Sequence, residues 1–348
     1  MDRESKLVER IARAFRSGSR HTPDTALRLG IGDDAAVLSS GGKNDWVLSC
    51  DAFLEGVHFL AKTHPPDSIG YKSLVRATSD LAAMGATPRY FLLALAIPAN
   101  RTGAWLDEFL NGMARAAHSL KIVLAGGDTT KGSVVSIGIT VVGEIGSGYA
   151  VTRSGARPGD IIYVSGTLGR AQLGLELLLH RKIKPSGLGS RRARHSDRAL
   201  QSLLQPHLYP KIQLALGTWL AKRRMASAMI DISDGLSTDL ARLCSASGVG
   251  ARMLAEWVPR AAIPAELSKR AGGLKLDPRK MALHGGEDYE LLFTVSPRNV
   301  KNLRAAPGFF QLKAIGEVTR GQSIVLIGPR GREDTLEPQG WDPFRHSQ

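Results

Sequence analysis

The sequence predicts an α/β (α+β) protein of two domains, and three observations support that prediction. At 348 residues the chain is long enough for roughly two domains of ordinary size. Through Glu144, apolar runs of strand length alternate with stretches of helical periodicity, the pattern of an α/β unit. The turn cluster Gly155-Ala156-Arg157-Pro158-Gly159-Asp160 then interrupts the chain, and a second series begins near Val151. We divide the chain on these grounds into domains 1–148 and 149–348.

Residues 5–16 set Leu7, Val8, Ile11, Ala12 and Phe15 on one helical face. Next comes Gly30-Ile31-Gly32-Asp33-Asp34-Ala35-Ala36-Val37-Leu38, a glycine turn that runs into two adjacent carboxylates and then an apolar strand-like run. Trp46-Val47-Leu48-Ser49 reads as a strand ending at Cys50-Asp51, and Gly56-Val57-His58-Phe59-Leu60 as a short extended run. Residues 68–84 have helical spacing, with Gly85 as the stop. Asp80 falls on the last turns of that helix, where the negative end of the dipole disfavours a carboxylate, so a cation is expected beside it. Tyr90 to Ile97 is a buried strand closed by Pro98, and 103–119 is an amphipathic helix. Ile122 to Ala125 is a short strand that delivers Gly126-Gly127-Asp128 at its end, and Val134 to Glu144 is another.

In the second half, strands are expected at 161–165, 228–231, 250–254, 291–295, 312–318 and 323–327. Helices are expected at 170–180, from about 198, from 210, and at 235–247, before a tail that carries Trp341. Residues 184–197 have the composition of a linker or surface loop.

With 43% hydrophobic and 22% charged residues, the composition is that of a soluble globular protein. The formal charge of +14 suits anionic partners without choosing among them. Two cysteines, Cys50 and Cys244, make neither a disulfide framework nor a zinc spacing. No apolar run reaches the ~18 residues of a membrane span, and no signal peptide opens the chain. A reducing cytoplasm is the expected compartment.

Asp and Gly together also build ordinary turns. Recurrence separates this chain from that case: Ser49-Cys50-Asp51, Ser79-Asp80, Gly126-Gly127-Asp128 and Asp231-Ile232-Ser233-Asp234-Gly235 each set Asp beside Gly or Ser at the end of an apolar segment. Carboxylates without a His/Cys cluster select hard cations, and magnesium typically combines one or two carboxylates with substrate phosphates. Several such ligands suit a reaction in which two phosphorylated molecules meet, because metals cancel their repulsion. A phosphate acceptor is already ionised near neutral pH, its second pKa being about 6, so no strong general base is needed. Phosphate-binding GxxxxGK[ST], zinc HExxH and dinucleotide GxGxxG signatures are absent.

These motifs, in order, resemble the thiamine-monophosphate kinase family. They are Gly-Ile-Gly-Asp-Asp-Ala at 30–35, Asp51 with Gly56-Val57-His58-Phe59, Ser79-Asp80-Leu81-Ala82-Ala83-Met84-Gly85, Gly126-Gly127-Asp128-Thr129-Thr130, Thr152-Arg153-Ser154-Gly155-Ala156, Asp231-Ile232-Ser233-Asp234-Gly235-Leu236 and Gly285-Gly286-Glu287-Asp288-Tyr289-Glu290. That family belongs to the superfamily of aminoimidazole ribonucleotide synthetase and selenophosphate synthetase. The resemblance implies ATP-dependent phosphorylation of thiamine monophosphate to thiamine diphosphate by direct in-line transfer, with Asp34, Asp51, Asp80 and Asp128 at the reacting centre. It implies several Mg²⁺ ions held by Asp34, Ser49, Cys50 through its backbone, Asp51, Asp80, Asp128, Asp231 and Asp234. Of the adjacent pair we favour Asp34 as the ligand and Asp33 as turn-forming, and the residues themselves leave open which of the two binds metal. It also implies ATP contacts at Gly127, Asp128, Arg153 and Ser233, and thiamine-phosphate contacts at His58, Glu287 and Trp341. The implied assembly is a homodimer whose N-terminal domains form a β-barrel, each followed by a C-terminal α/β domain. Cys50 departs from the family's usual Thr, and the Arg-rich loop 184–198 is longer than usual.

Two other functions compete. A second synthetase of the same superfamily would share the fold; the reactive Cys with neighbouring Lys expected of a selenophosphate enzyme before Gly30 is missing. A basic nucleic-acid-binding protein would account for the charge, but only 6% of residues are aromatic and they do not interleave with the basic ones.

Overall fold

Alternation of side chains decides the first sheet. In β6 (Ser136–Gly146) every second residue from Ile137 to Ile145 is buried, and β3 (Asn44–Leu54) buries Asp45, Val47 and Phe53 in the same phase. The computed structural model describes residues 3–16, 26–180, 202–262, 276–303 and 305–344. Within these, β1 (Leu27–Leu29), β2 (Ala36–Ser39), β3, β4 (Thr87–Ile97), β5 (Val123–Lys131) and β6 form a six-stranded sheet in the order β1-β2-β3-β6-β4-β5. Helix α1 (Arg3–Arg16) precedes the sheet, and α2 (Pro66–Ala83) lies against β3, β4 and β6 with α3 (Ala104–Leu120) against α2.

Glycines let these two helices meet backbone to backbone. A Cβ on Gly112 would stand 1.8 Å from the Asp67 carbonyl oxygen, and one on Gly70 1.9 Å from that of Phe109. Close seating holds α2 deep in the molecule, and α2 carries much of the polar machinery described below.

The second sheet has seven strands in the order β13-β12-β9-β11-β7-β10-β8. They are β7 (Ile161–Val164), β8 (Ala228–Ile232), β9 (Gly250–Leu254), β10 (Glu290–Val295), β11 (Lys313–Thr319), β12 (Ile324–Ile327) and β13 (Glu333–Thr335). Six helices interleave with them among the described residues: α4 (Arg170–Leu179), α5 (Gln205–Leu208), α6 (Leu214–Lys222), α7 (Leu236–Ser247), α8 (Pro278–His284) and α9 (Val300–Leu303). The apolar core does not stop between the sheets. Phe53, Leu74 and Ile139 of the first half belong to one buried cluster with Leu220, Met229 and Phe293 of the second. No helix among the described residues is long and apolar enough to cross a membrane.

Several expectations need correction. Alternating strands and helices leave strand direction open, and the parallel ladders among the described strands are only β4–β5 and β9–β12; periodicity marks the type of an element and not its direction. Residues 56–60 are a turn and not a strand, because Gly56 takes φ +86° and its N–H donates to Phe59 O at 2.8 Å. The strand expected to end at Ala125 runs on to Lys131, so Gly127 and Asp128 lie inside β5 and not at its end. Glycine permits this: a Cβ on Gly127 would meet Leu93 O at 1.9 Å. On the apolar face of α1, Ala12 is buried while Leu7, Ile11 and Phe15 are exposed. Among the described strands the first sheet is open, and β5 at its edge pairs only with β4. The loop 184–198 and the start of the helix expected from 198 lie outside the described residues.

Candidate active site

Three carboxylates meet between the two sheets. Asp34 follows the glycine turn ahead of β2, Asp80 stands on the last turn of α2, and Asp231 lies within β8. One oxygen from each falls within 4.8 Å of the other two. Hydrogen bonds aim them: Ser49 Oγ of β3 donates to Asp80 at 2.5 Å, and Ser79 Oγ of α2 donates to Asp231 at 2.6 Å. The second of these bonds ties the first half of the chain to the second.

Gathering like charges out of water favours their protonated forms. Burial, followed by repulsion from Asp51, Asp231 and Asp34, pushes the Asp80 carboxyl well above its ordinary range. Burial and the neighbouring Asp34 raise Asp231 to about 7. Burial also raises Asp34, against the opposing pull of Arg153. The Arg153 guanidinium donates twice to Asp34 Oδ1, at 3.0 and 2.5 Å, while Oδ2 is buried and has no hydrogen-bond partner. A carboxylate with one buried oxygen unpartnered, gathered with two further carboxylates and with oxygen donors alone, fits a hard divalent cation. Asp33 has a different job: it accepts the backbone N–H of Asp34 at 2.9 Å and of Arg153 at 3.1 Å, so it closes the turn. Burial and the adjacent Asp34 raise it to about 6.

Around this cluster β3 contributes by alternation. Ser49 and Asp51 face α2, where Arg76 Nε lies 3.5 Å from Asp51 and Arg76 Nη1 donates to Ala52 O at 2.9 Å. Cys50 faces the other way, toward Thr140 on β6, with Sγ 3.4 Å from the Thr hydroxyl. On the far side, Arg242 of α7 holds Asp234 at 2.5 Å and Asp239 at 3.1 Å, and reaches Glu4 of α1 at 3.0 Å. The chain terminus returns to this point, since Trp341 N–H donates to Asp234 O at 2.9 Å and leaves its indole half exposed.

The loop between α8 and β10 holds Glu287 with an unusual backbone. Glu287 and Tyr289 take φ +69° and +51°, a region that costs a non-glycine residue of order 1–3 kcal/mol. Glu287 N–H donates to Ser233 O at 2.7 Å, so the loop is pinned to the turn after β8. Its carboxylate lies 2.6 Å from Lys72 Nζ and 3.1 Å from His207 Nδ1. Burial opposes ionisation there, but these two partners outweigh it and hold the carboxyl far below its ordinary range. Asp288 and Glu290 serve the frame: Asp288 accepts the N–H of Gly169 and Ala171 at the start of α4, and Glu290 accepts from Ser165 and Gln213.

Comparison with known proteins gives this arrangement a lineage. Residues 32–145 match the family described as AIR synthase related protein, N-terminal domain, and residues 157–328 match its C-terminal domain. The chain is 37% identical over 323 residues to the thiamine-monophosphate kinase of Escherichia coli (strain K12), covering 91% of this chain and 92% of that one. It is 34% identical over 316 residues to that of Aquifex aeolicus, covering 90% and 92%. It belongs to the thiamine-monophosphate kinase family. Among solved structures, AaThiL complexed with AMPPCP and TMP is similar at a TM-score of 0.77 and 31% identity, covering 96% of this chain and 95% of that one. The thiamine-monophosphate kinase from Stenotrophomonas maltophilia K279a is similar at 0.72 and 34%, covering 94% and 96%.

Seen as a thiamine-monophosphate kinase family member, the chain brings some expected residues together and leaves others apart. Asp34, Ser49, Asp51, Asp80, Arg153, Asp231 and Ser233 gather around the carboxylate cluster, and Asp234 adjoins it through Arg242. His58 accepts the Leu54 N–H on Nδ1 at 3.0 Å, and burial and then Arg76 depress it to about 4, so the ring is neutral near pH 7. Gly127 and Asp128 are not brought in. Asp128 sits opposite Ala94, Gly138 and Ala52 along the sheet, three strand spacings from β3, or about 14 Å. Lys72, Arg76, His207 and Arg242 were missed. A signal existed for two of them: Lys72, Arg76 and Asp80 recur every four residues, which sets them on one face of α2.

Proposed function

We propose that this chain transfers the γ-phosphoryl group of ATP to the phosphate of thiamine monophosphate, giving thiamine diphosphate and ADP. The observation that carries the reading is the convergence of Asp34, Asp80 and Asp231, from three separate segments, in a family whose solved relative binds AMPPCP and TMP. Magnesium ions held by Asp34, Ser49, the Cys50 carbonyl, Asp51, Asp80, Asp231 and Asp234 would supply charge neutralisation between the two phosphorylated substrates. Arg153 and Ser233 bind ATP, and Arg153 exchanges its grip on Asp34 for phosphate. His58, Glu287 and Trp341 hold the thiamine moiety, the half-exposed indole stacking on its thiazolium cation. The acceptor phosphate is ionised at neutral pH, so its oxygen attacks the γ-phosphorus while ADP departs, and no side chain need take a proton.

The working unit in this reading is a homodimer. β5 is an exposed edge strand with Val123 and Leu124 open to solvent, and Tyr90 and Leu92 of β4 lie exposed beside it. Such an edge is a pairing site unless something covers it. A second copy seated there closes the two open sheets into a barrel and sets Gly127 and Asp128 at the seam.

Incubation with ATP, Mg²⁺ and thiamine monophosphate tests the activity. Thiamine diphosphate and ADP are expected in equal amounts, and absence of thiamine diphosphate above the enzyme-free control refutes the reading.

A further inference from the structure

Behind Glu287 stands a chain of hydrogen bonds that the proposed reaction does not use directly. It links four separate segments: the loop after β3 with Leu60 and His64, helix α2 with Lys72, helix α5 with His207, and the strained loop with Glu287. His207 Nδ1 is 3.1 Å from Glu287 Oε2, and a carboxylate only accepts, so Nδ1 carries the proton. His207 Nε2 is 3.0 Å from His64 Nε2. Two N–H groups cannot point at each other across that gap, so one nitrogen donates and the other accepts. With Nδ1 of His207 protonated, a neutral His207 accepts and His64 Nε2–H donates. His64 Nδ1 is then the acceptor, with the Thr63 hydroxyl at 3.1 Å and the Leu60 N–H at 3.2 Å as donors to it, while the Leu60 carbonyl also lies 3.1 Å away. This arrangement of protons satisfies the Glu287–His207 and His207–His64 contacts together. Lys72, almost fully buried, closes the set at 2.6 Å from Glu287 Oε1.

We infer that Lys72 and His207 are positioning residues of the substrate pocket, which with His64 fix the Glu287 carboxylate in one orientation for the thiamine moiety. This rests on the proposed assignment of Glu287 to that pocket. Each Glu287 oxygen spends one acceptor position on the buried side, so the outward positions are left for the substrate. Glu287 is 26% exposed, which is the open side. Because the ammonium of Lys72 cancels its charge, the pair recognises an N–H donor in one direction and does not act as a general attractor of cations.

The test compares His207→Leu, which removes the donor, with His207→Asn, whose amide nitrogen occupies the Nδ1 position, and adds Lys72→Met. Losing a hydrogen bond to a charged group corresponds to about a tenfold to hundredfold effect. The KM for thiamine monophosphate is expected to rise by that factor in His207→Leu and Lys72→Met, with the KM for ATP unchanged, and to stay within about threefold of wild type in His207→Asn. An unchanged thiamine-monophosphate KM in His207→Leu, or equal shifts for both substrates, overturns the inference. A second measurement needs no variant. Long-range ¹⁵N–¹H spectra of the wild-type histidines near pH 7 are expected to show His207 protonated on Nδ1 and His64 on Nε2, both neutral. An imidazolium or the opposite tautomers at these positions refute the relay. A wild-type protein that makes no thiamine diphosphate but shows these tautomers sinks the proposed function and leaves the relay standing; an active enzyme with the wrong tautomers does the reverse.

Discussion

Neighbouring aspartates in this chain do unlike work, and the difference lies in what each carboxylate faces. Asp33 caps backbone N–H groups, whereas Asp34 keeps one buried oxygen without a partner. Asp288 caps α4, whereas Glu287 one residue earlier faces Lys72 and His207. Asp80→Asn keeps the Ser49 contact and the side-chain volume but removes a charge that a divalent cation would need. Turnover is expected to fall at least about 100-fold, with the unfolding temperature in metal-free buffer unchanged or higher because a buried repulsion is relieved. Retained turnover in Asp80→Asn would remove Asp80 from the reacting centre. A carboxylate motif could be read from sequence; which of two adjacent carboxylates stays unpartnered could not, because backbone donors arriving from Arg153 are 120 residues away in the chain.

At the scale of elements, α2 organises the site. It packs against α3, β3, β6, α6 and β8, and presents Lys72, Arg76, Ser79 and Asp80 to partners on both sheets. That placement depends on glycine contacts with too little room for a methyl group. Gly112→Ala sets a Cβ against the Asp67 carbonyl and is expected to destabilise the protein by about 1–3 kcal/mol, the usual scale of overpacking. Chemical denaturation measures the loss, and a variant as stable as wild type would show that α2 and α3 can separate freely. The helical periodicity of 68–84 predicted α2 within two residues of Pro66–Ala83. Its depth was hidden, because burial of a helix on nearly every side depends on what the rest of the chain lays against it.

For the whole molecule, pH and assembly give two further tests. Asp33, Asp231 and Asp288 have folded pKa values raised from 3.8 to about 6, 7 and 7, with burial the leading cause in each. Between about pH 4 and 7 these carboxyls bind more protons in the folded chain than in the unfolded one and so make stability fall as pH rises, while His58 and His64, lowered from 6.5 to about 4 and 3, act in the opposite sense below about pH 6.5. Glu287 has the opposite sign; its stabilisation is present above the unfolded value of 4.5 and is lost as pH falls below it. Thermal unfolding in metal-free buffer is expected to show a declining Tm from pH 5 to 7.5, and saturating Mg²⁺ to raise Tm most at the upper end. A Tm that climbs across this range without metal would contradict the buried-carboxylate picture. The homodimer is tested by Leu92→Glu with Leu124→Glu, charges placed on the open face and edge of the first sheet. Sedimentation is expected to report a monomer with little activity, and an active dimer would move the interface elsewhere.

The sequence by itself determined the lineage, the order of the elements and the family of carboxylates, because glycine turns, apolar periodicity and Asp beside Gly or Ser are local signals. It also marked Asp34, Asp51, Asp80, Asp128, Asp231 and Asp234 as a set, through recurrence of one small pattern, and of these Asp128 lies away from the others in the folded chain. The direction of the strands, the continuity of the core across both sheets, the exposed course of Gly127 and Asp128 along β5, and the buried partnership of Lys72 and His207 with Glu287 were decided only by the tertiary structure. These depend on contacts between residues far apart in the chain, where desolvation and long-range packing set the energy and no local pattern records it.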